Sequence, residues 1–320
     1  MNKWLIIILL MTSSCIDFEF EAPYEDLNGI YIAHVMRYSD VSGYKLLFEG
    51  SKGYILKESG LSCYSFVSVD SIFEICSYDH GGHDFAISDS HAYITDPNLN
   101  LLLVINFQGS QPYLVSSLHI DGGAGFIRLH SHFAYITGVN TLSIIDINDK
   151  QAPVKVEEYV FADHVRWLEV DSNHAYILLG NSDFWILDIS DPTDINVVSQ
   201  VSVIDTLGGS ANMFALRGDY LYFLKNRYIE TYQQSENGDL EYLSRFGFAS
   251  YMEFMHIGDN YGLACDGISW VYLLNLEYPS RPCITEIYEL AWFQHYGIIR
   301  DNYIYLLVPY LEILEIKEVQ

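Results

Sequence analysis

The sequence predicts an all-β fold assembled from a repeated unit of about 42 residues. Tyr, Ile, Leu, Val and Phe dominate the apolar half of the chain, and these residue types favour pleated, half-buried strands. A short motif of the form polar-Ala-Tyr-Ile recurs at a nearly constant interval. Only eight prolines and no Ser/Gly-rich tract are present, which argues against a long linker between separate units.

One tyrosine-bearing strand anchors each repeat. The clearest copies lie at residues 91–94, 133–136 and 174–177. The anchor positions are 54, 93, 135, 176, 222, 263 and 305, with spacings of 39, 42, 41, 46, 41 and 42 residues. A period of this length that is held along the whole chain indicates a repeat architecture.

Each repeat divides into four short strands. In the second repeat an inner strand at 84–88 leads into the tyrosine strand, and a third strand rich in Ile, Leu and Val follows at 103–106. A proline-bearing turn and a fourth strand complete the unit, as at 154–159 in the next repeat. Four strands in about 42 residues make one propeller blade. We therefore predict a seven-bladed β-propeller with four strands per blade, with six or eight blades as the alternatives.

The two ends of the chain are predicted to share the last blade. After Tyr305 only fifteen residues remain, which are enough for a third strand at 311–316 but not for a fourth. An unassigned strand at 29–36 precedes the first repeat. Placing this N-terminal strand in the last blade closes the ring and pairs both free edges.

The end of the third strand and the turn after it carry a specific pattern. Residues 188–192 read Asp-Ile-Ser-Asp-Pro, and looser copies lie at 146–153 and 106–112. The pattern resembles the LVIVD repeat, a bacterial propeller family often found in exported proteins. That resemblance implies a propeller and usually no defined activity. The repeats around Leu61, Arg227 and Glu312 depart from the pattern.

The first fourteen residues have the layout of an export signal. Lys3 precedes an apolar run at 4–11 that is too short to cross a bilayer. Small residues then lead directly to Cys15, which resembles the bacterial lipoprotein signal, in which the cysteine is acylated. Thr12 stands where that signal usually has leucine. The alternative is an ordinary secretory signal that is cleaved near Ser14.

The expected organisation of the chain follows from this signal. Residues 1–14 are predicted to be a lipoprotein signal peptide, 15–28 an acidic tether, and 29–320 a single propeller domain. Palmitate or a similar acyl chain on Cys15 would anchor the protein to a bacterial membrane. The propeller is then expected in the cell envelope, outside the cytoplasm and as a monomer.

The formal net charge of −26 limits the possible partners. A nucleic-acid binder needs a basic stripe that displaces counterions, so nucleic acids are excluded. Docking on anionic lipid through a basic face is disfavoured for the same reason. The charge is compatible with solubility alone or with attraction for cations and basic partners.

Cys63 and Cys76 form a candidate disulfide. Export permits disulfides. Cys63 opens the third strand of the first repeat and Cys76 lies late in its fourth, with the hairpin turning near residues 69–70. The two cysteines are therefore expected to face each other across the hairpin.

One row of the repeat alignment, called here the mouth row, marks the candidate ligand site. It lies ten residues before each anchor, where the chain approaches the inner strand, and the row two positions later is apolar. A polar ring above an apolar layer is expected for a channel whose entrance is solvated and whose next layer is packed. Gly125 occupies the row in the third repeat, and the candidate ligand-binding members are Tyr44, His83, Arg166, Asn212, Glu253 and His295. The alternative is a solvated mouth that binds nothing.

Metal binding and catalysis have little support in the sequence. His80, His83 and Asp84 are weak metal candidates, because imidazole and carboxylate are zinc ligands but a loop does not hold them on one face. The glycine-rich loop at 121–125 leads into a strand rather than a helix, which indicates a tight turn and not a phosphate cradle. No complete catalytic set is present, so we expect no catalytic residues and no cofactor.

Two functional hypotheses remain. The first is a non-enzymatic binding or scaffold module that recognises an envelope protein or a small ligand at the channel-mouth face. The second is a metal-dependent lyase or hydrolase that uses His83 and His295 as ligands or acid/base groups. A stoichiometric metal in the purified protein, lost in His83→Ala and His295→Ala, would favour the second hypothesis.

Overall fold

The computed structural model describes residues 30–204, 210–235, 237–290, 296–307 and 310–318. The predicted signal peptide, the tether, Cys15 and His295 lie outside the described residues. Within the described ranges the chain forms strands, which assemble into seven four-stranded antiparallel sheets. These ranges contain no helix with the length and apolar character that a bilayer crossing requires.

The first strand in the described ranges is β1 (Ile30–Tyr38), and the blades follow it in order. Blade 1 consists of β2 (Lys45–Glu49), β3 (Lys52–Lys57), β4 (Gly60–Ser68) and β5 (Ser71–Tyr78). Blade 2 consists of β6 (Asp84–Ser88), β7 (His91–Asp96), β8 (Leu101–Asn106) and β9 (Tyr113–His119). Blade 3 consists of β10 (Ile127–His130), β11 (Phe133–Thr137), β12 (Thr141–Asp146) and β13 (Val154–Val160). Blade 4 consists of β14 (Val165–Val170), β15 (His174–Leu179), β16 (Asp183–Asp188) and β17 (Asn196–Ser202).

The second half of the ring repeats the same order. Blade 5 consists of β18 (Met213–Arg217), β19 (Tyr220–Lys225), β20 (Tyr228–Gln234) and β21 (Leu240–Gly247). Blade 6 consists of β22 (Phe254–Ile257), β23 (Tyr261–Cys265), β24 (Trp270–Asn275) and β25 (Cys283–Glu289). Blade 7 consists of β26 (Tyr296–Arg300), β27 (Tyr303–Leu307), β28 (Leu311–Glu318) and β1.

The structure confirms the predicted blade count and the predicted closure. Inner strands of successive blades contact one another around the ring, and β26 of blade 7 contacts β2 of blade 1. β1 pairs antiparallel with β28, from Ile30 opposite Glu318 to Tyr38 opposite Leu311. The strand predicted at 29–36 is observed at Ile30–Tyr38, with an irregularity between His34 and Met36. The two ends of the chain thus complete one sheet.

The Ala-Tyr-Ile motif is explained by how the blades pack. Successive residues of a strand point to opposite faces of its sheet. In β7, Ala92 and Ile94 pack against blade 1, whereas Tyr93 packs against blade 3. The motif therefore supplies small and branched side chains to one neighbouring blade and a large ring to the other. All seven anchor positions are buried, including Leu263, which replaces tyrosine in blade 6.

A separate apolar cluster fills each of the seven interfaces between blades. The predicted apolar row is buried in these clusters at Leu46, Phe85, Ile127, Leu168, Phe214 and Met255. Gly297 is the exception in blade 7. There the side chain of Leu263 from blade 6 occupies the space, and a Cβ on Gly297 would lie only 2.4 Å from Leu263 Cδ2.

In blades 2, 3 and 4 the polar residue that ends the third strand forms the turn after it. Asp146 Oδ1 accepts the backbone N–H of Asn148 at 2.8 Å, and Asp188 Oδ1 accepts that of Ser190 at 2.9 Å. Asn106 makes the same contact with Gln108. A short side chain that bonds the backbone two residues ahead is the mechanism of an Asx turn. The aspartate of the repeat pattern is therefore a structural residue.

Candidate functional site

The inner strands surround a central cavity of about 760 Å³. At one end it is lined by Tyr44 and His83, and we call this the mouth end. At the other end it reaches Asp171 and Asp219, which follow the inner strands of blades 4 and 5. The cavity therefore runs along the channel, and its volume lies within the usual range of small-molecule sites.

The mouth row consists of structurally equivalent positions. At five of its seven positions the backbone N–H donates to the carbonyl of the residue two beyond the anchor, at 2.6–3.0 Å. These positions are Tyr44, His83, Gly125, Asn212 and Glu253. In blade 4 the register shifts between Val165 and Trp167, so Arg166 departs from the pattern.

The side chains of the described mouth-row residues, which exclude His295, do not converge on one point. Tyr44 donates its hydroxyl to the Gly82 carbonyl, and the His83 ring stands edge-on to Phe126 with centroids 5.1 Å apart. These two residues line the cavity. Arg166 and Asn212 are not part of the lining.

Arg166 and Asn212 bond to their surroundings instead, and Glu253 lies beside a turn. Arg166 Nη1 donates to the Ala211 carbonyl at 2.9 Å, and Asn212 Nδ2 lies 3.5 Å from Asn226 Oδ1. The carboxyl of Glu253 lies against Gly267, in the turn between the second and third strands of blade 6. Like Arg166 and Asn212, Glu253 is not part of the cavity lining.

The three weak metal candidates face different partners. His80 Nε2 lies 3.0 Å from Asp96 Oδ2, His83 packs on Phe126, and Asp84 is ion-paired. Across the described ranges, no group of three or more His, Cys, Asp or Glu residues is placed to hold a metal ion. The geometry of His80, His83 and Asp84 therefore does not match that of a metal site.

A ladder of ion pairs, which the sequence reasoning missed, crosses the channel wall. Lys45 pairs with Asp84, and Asp84 Oδ2 lies 3.1 Å from Arg128 Nη1. Arg128 donates two parallel hydrogen bonds to Glu169, from Nε to Oε2 at 2.9 Å and from Nη2 to Oε1 at 3.0 Å. Trp167 Nε1 donates to Glu169 Oε1 at 3.0 Å. We call Lys45, Asp84, Arg128 and Glu169 the ion ladder.

The ladder joins the inner strands of four successive blades. Lys45 begins β2, Asp84 begins β6, Arg128 is in β10 and Glu169 is in β14. The sequence signal for the ion ladder is the presence of charged residues within these inner strands. They lie one or three positions beyond the mouth row, on the residues that alternate with the apolar row.

Burial and pairing together set the protonation of the ladder. Burial alone would raise the pKa of Asp84, but Lys45 and Arg128 hold the pKa of that carboxyl below its ordinary value. Its oxygens also accept the backbone N–H groups of Phe85 at 2.9 Å and Ile127 at 3.0 Å. A buried carboxylate with two cations and two amide donors stays ionised.

The channel wall of blades 5 to 7 is largely apolar. Met213, Ala215 and Phe254 line it, together with Tyr296, whose ring centroid lies 5.0 Å from that of Phe254. His256 also lines the cavity, and burial lowers its pKa to about 4. At neutral pH this imidazole is uncharged, so Asp219, at the end opposite the mouth, is the only charged residue that blades 5 to 7 contribute to the described lining.

Cys63 and Cys76 lie directly opposite each other on β4 and β5. The hairpin between these strands turns at residues 69–70, where the sequence predicts it. Both side chains are buried thiols, and burial raises the pKa of Cys63 to about 12. The disulfide between them stays a prediction.

The chain carries LVIVD repeats. Two copies match, at residues 121–160 and 164–203, which correspond to blades 3 and 4. The resemblance seen in the sequence is thereby confirmed for the middle of the chain, where the Asp-Ile-Ser-Asp-Pro turn lies. No curated protein sequence matches the chain.

Solved propellers share the fold at low sequence identity. The WD40 domain of coronin from Toxoplasma gondii has a TM-score of 0.71 and 9% identity, over 92% of this chain and 87% of that one. The β-propeller domain of Swd1 from Myceliophteria thermophila has a TM-score of 0.70 and 10% identity, over 90% and 100%. BamB from Moraxella catarrhalis has a TM-score of 0.61 and 14% identity, over 91% and 99%. At such identities the similarity concerns the fold alone.

Proposed function

We propose that this protein is a non-enzymatic binding module that holds a small ligand in its central channel. The observation that carries the proposal is the cavity of about 760 Å³ with its mixed wall. Small-molecule sites are concave and mostly apolar, with a few fixed polar groups that orient the ligand. The channel combines these features, because the ion ladder is rigidly bonded and the opposite wall is apolar.

The arrangement of the charged groups favours binding over catalysis. Lys45, Asp84, Arg128 and Glu169 already hydrogen-bond one another. Charged groups that are mutually bonded on four separate strands are held in place, and they present fixed dipoles to a ligand. A general acid or base, in contrast, must exchange a proton with the substrate near the working pH. A carboxyl whose pKa Lys45 and Arg128 hold below its ordinary value, such as that of Asp84, does not suit that role.

Native mass spectrometry of the protein, purified gently from its own cells, tests the proposal. We expect one small molecule bound per chain. Ala215→Trp should abolish its retention, because a large ring at this lining position fills the channel. Val67→Trp is the matched control, since Val67 lies outside the cavity lining and is 78% exposed. Equal retention by the two variants would contradict a site in the channel.

We further propose that the propeller is held at a bacterial membrane by lipid on Cys15, outside the cytoplasm. The apolar run at 4–11 and the small residues before Cys15 support this proposal. Cells fed labelled palmitate should label the wild-type protein. The Cys15→Ala variant should lose the label and leave the membrane fraction, while Cys283→Ala should change neither. Membrane association that persists without the label would count against the lipid anchor.

A protein ligand at the channel-mouth face is the second candidate. Exposed apolar side chains lie on this face in the turns between second and third strands, at Leu99, Val139 and Ile268. A photo-crosslinking residue at Val139 should capture a partner that rebinds when purified. The same residue at Val67, which lies near the end of β4 at the opposite end of the blade and is 78% exposed, is the control. Equal capture at both positions would indicate nonspecific contact.

A further inference from the structure

We infer that the channel ligand is an uncharged amphipathic molecule, whose polar end faces blades 1 to 4 and whose apolar end lies against blades 5 to 7. The inference rests on the proposed function and adds the chemical class of the ligand. It follows from how charge is distributed over the channel wall.

The charges of the ion ladder cancel within the wall. Two cations, Lys45 and Arg128, alternate with two anions, Asp84 and Glu169, and each cation contacts an anion. A ligand charge placed beside this ladder would meet nearly equal attraction and repulsion. The charged group would lose its hydration shell on entering the channel, and no unpaired opposite charge of the ion ladder would replace that shell. Burying an uncompensated charge is costly.

An anionic ligand is disfavoured further by the rest of the channel. Asp171 and Asp219 line the end opposite the mouth. The whole chain carries a formal net charge of −26, which repels anions at a distance. A cationic ligand would gain from this field, but it would pass Lys45 and Arg128 on the wall. An uncharged ligand avoids both penalties.

Hydrogen-bond donors remain for the polar end of such a ligand. Lys45 Nζ carries three N–H groups, and among the described residues it donates to Asp84 and to the Phe85 carbonyl. The third N–H can donate to a ligand oxygen. The imidazole of His83 lines the same region near the mouth. These groups suit hydroxyl, carbonyl or ether oxygens.

The opposite wall suits an apolar body. Met213, Phe254 and Tyr296 line it, and two of them are aromatic rings in contact with each other. Flexible thioethers adapt to differently shaped apolar groups. Aromatic rings add large contact areas and preferred edge or offset geometries. A flat or aliphatic body can therefore lie here without meeting a charge.

A matched pair of fluorescent probes tests the inference on the full propeller. N-phenyl-1-naphthylamine is uncharged, and 8-anilino-1-naphthalenesulfonate is the same skeleton with one sulfonate. Titration of each probe at neutral pH gives its dissociation constant from the rise in fluorescence. We expect one site per chain, with the uncharged probe bound at least about tenfold more tightly. The cation N-(1-naphthyl)ethylenediamine should displace it only at concentrations about tenfold higher than its own uncharged analogue, N-ethyl-1-naphthylamine.

Variants separate the possible outcomes. Ala215→Trp should abolish binding of the uncharged probe, and Val67→Trp, at an exposed residue outside the lining, should preserve it. Ala215→Leu, with a circular dichroism melt, covers the case in which the larger side chain prevents folding. Equal or tighter binding of a charged probe, lost in both Ala215 variants, would overturn the ligand class and leave channel binding intact. Probe binding that both Ala215 variants retain, or no saturable binding, would overturn the proposed function as well.

Discussion

The layers between the blades and the wall of the channel are built from the same strands but differ in regularity. Between blades similar residue types recur, and the anchor tyrosines and the apolar row are buried in every interface except that between blades 6 and 7, where Leu263 and Gly297 replace them. On the channel wall the equivalent positions change from blade to blade. Lys45, Asp84, Phe126, Trp167 and Met213 occupy one such row in the first five blades.

The difference shows which positions carry structure and which carry a site. A blade interface must be filled wherever two sheets meet, so each repeat needs the same apolar side chains. The channel wall has no such requirement, because only one side of it meets protein. Its non-repeating residues can therefore form the ion ladder on one side and an apolar surface on the other. The candidate site lies on the channel wall, where the side chains do not repeat from blade to blade.

The largest effect is expected from a cavity in a layer between blades. Tyr135 is 1% exposed and packs against blade 4. Tyr135→Ala should lower the free energy of unfolding by about 3–5 kcal/mol, because a large buried ring is lost and the rigid sheets cannot collapse into the space. Urea unfolding measures this change. Tyr113→Ala, on an outer strand where Tyr113 is 58% exposed, should cost less than about 1 kcal/mol. Similar losses in both variants would show that this layer does not dominate stability.

The next effect is expected in the ion ladder. Asp84→Ala leaves Lys45 without its carboxylate and removes one of the two carboxylates that pair with Arg128. The free energy of unfolding should fall by about 3 kcal/mol. Adding Lys45→Met should restore at least about 1 kcal/mol, because the unpaired buried ammonium is removed. Asp259→Ala, in an exposed turn, is the control. If the double variant is less stable than Asp84→Ala alone, the ladder is not held together by charge pairing.

Acid should weaken the apolar side of the channel through His256. Its pKa is about 4 in the folded protein and about 6.5 in an unfolded chain. Between these values the unfolded state binds more protons, so stability falls as pH is lowered from 6.5 to 4. We expect a loss of about 2 kcal/mol, since water in the channel moderates the effect of burial. Urea unfolding across this range should show the loss in the wild type and a smaller one in His256→Gln. If the free energy of unfolding falls equally with pH in the two proteins, His256 does not cause the loss of stability.

The smallest effect concerns the layer between blades 1 and 2. A disulfide between Cys63 and Cys76 would close a short hairpin loop and should stabilise the fold by about 2 kcal/mol. It should leave the channel unchanged, since neither cysteine lines the cavity. Alkylation before and after reduction, read by mass spectrometry, detects the bond. Protein made in an oxidising compartment that keeps both thiols free would contradict the predicted disulfide.

The regular parts of the molecule could be predicted from the sequence because they repeat. The period of the tyrosine strands predicts seven blades, and the short tail after Tyr305 predicts that β1 closes the ring. The alternation within Ala-Tyr-Ile predicts burial on both faces. These features depend on spacing along the chain, which the sequence displays directly.

The ion ladder could not be predicted in the same way. Its members are about 40 residues apart and have different chemistry, so no repeat reveals them. The mouth row is polar, but its described members other than Arg166 precede the inner strands. Arg166 and Asn212 bond to neighbouring backbone and side chains. One position further along, Lys45 and Asp84 meet across two blades. Which residues of an inner strand face the channel depends on the tilt and register of the blades.

The central claim is that the irregular channel wall forms a binding site. The most direct test is a crystal structure of the protein saturated with N-phenyl-1-naphthylamine. We expect density for the probe inside the channel, with its rings against Met213, Phe254 and Tyr296. Density found only on the outer strands or in the grooves between blades, with the channel filled by ordered water, would contradict it.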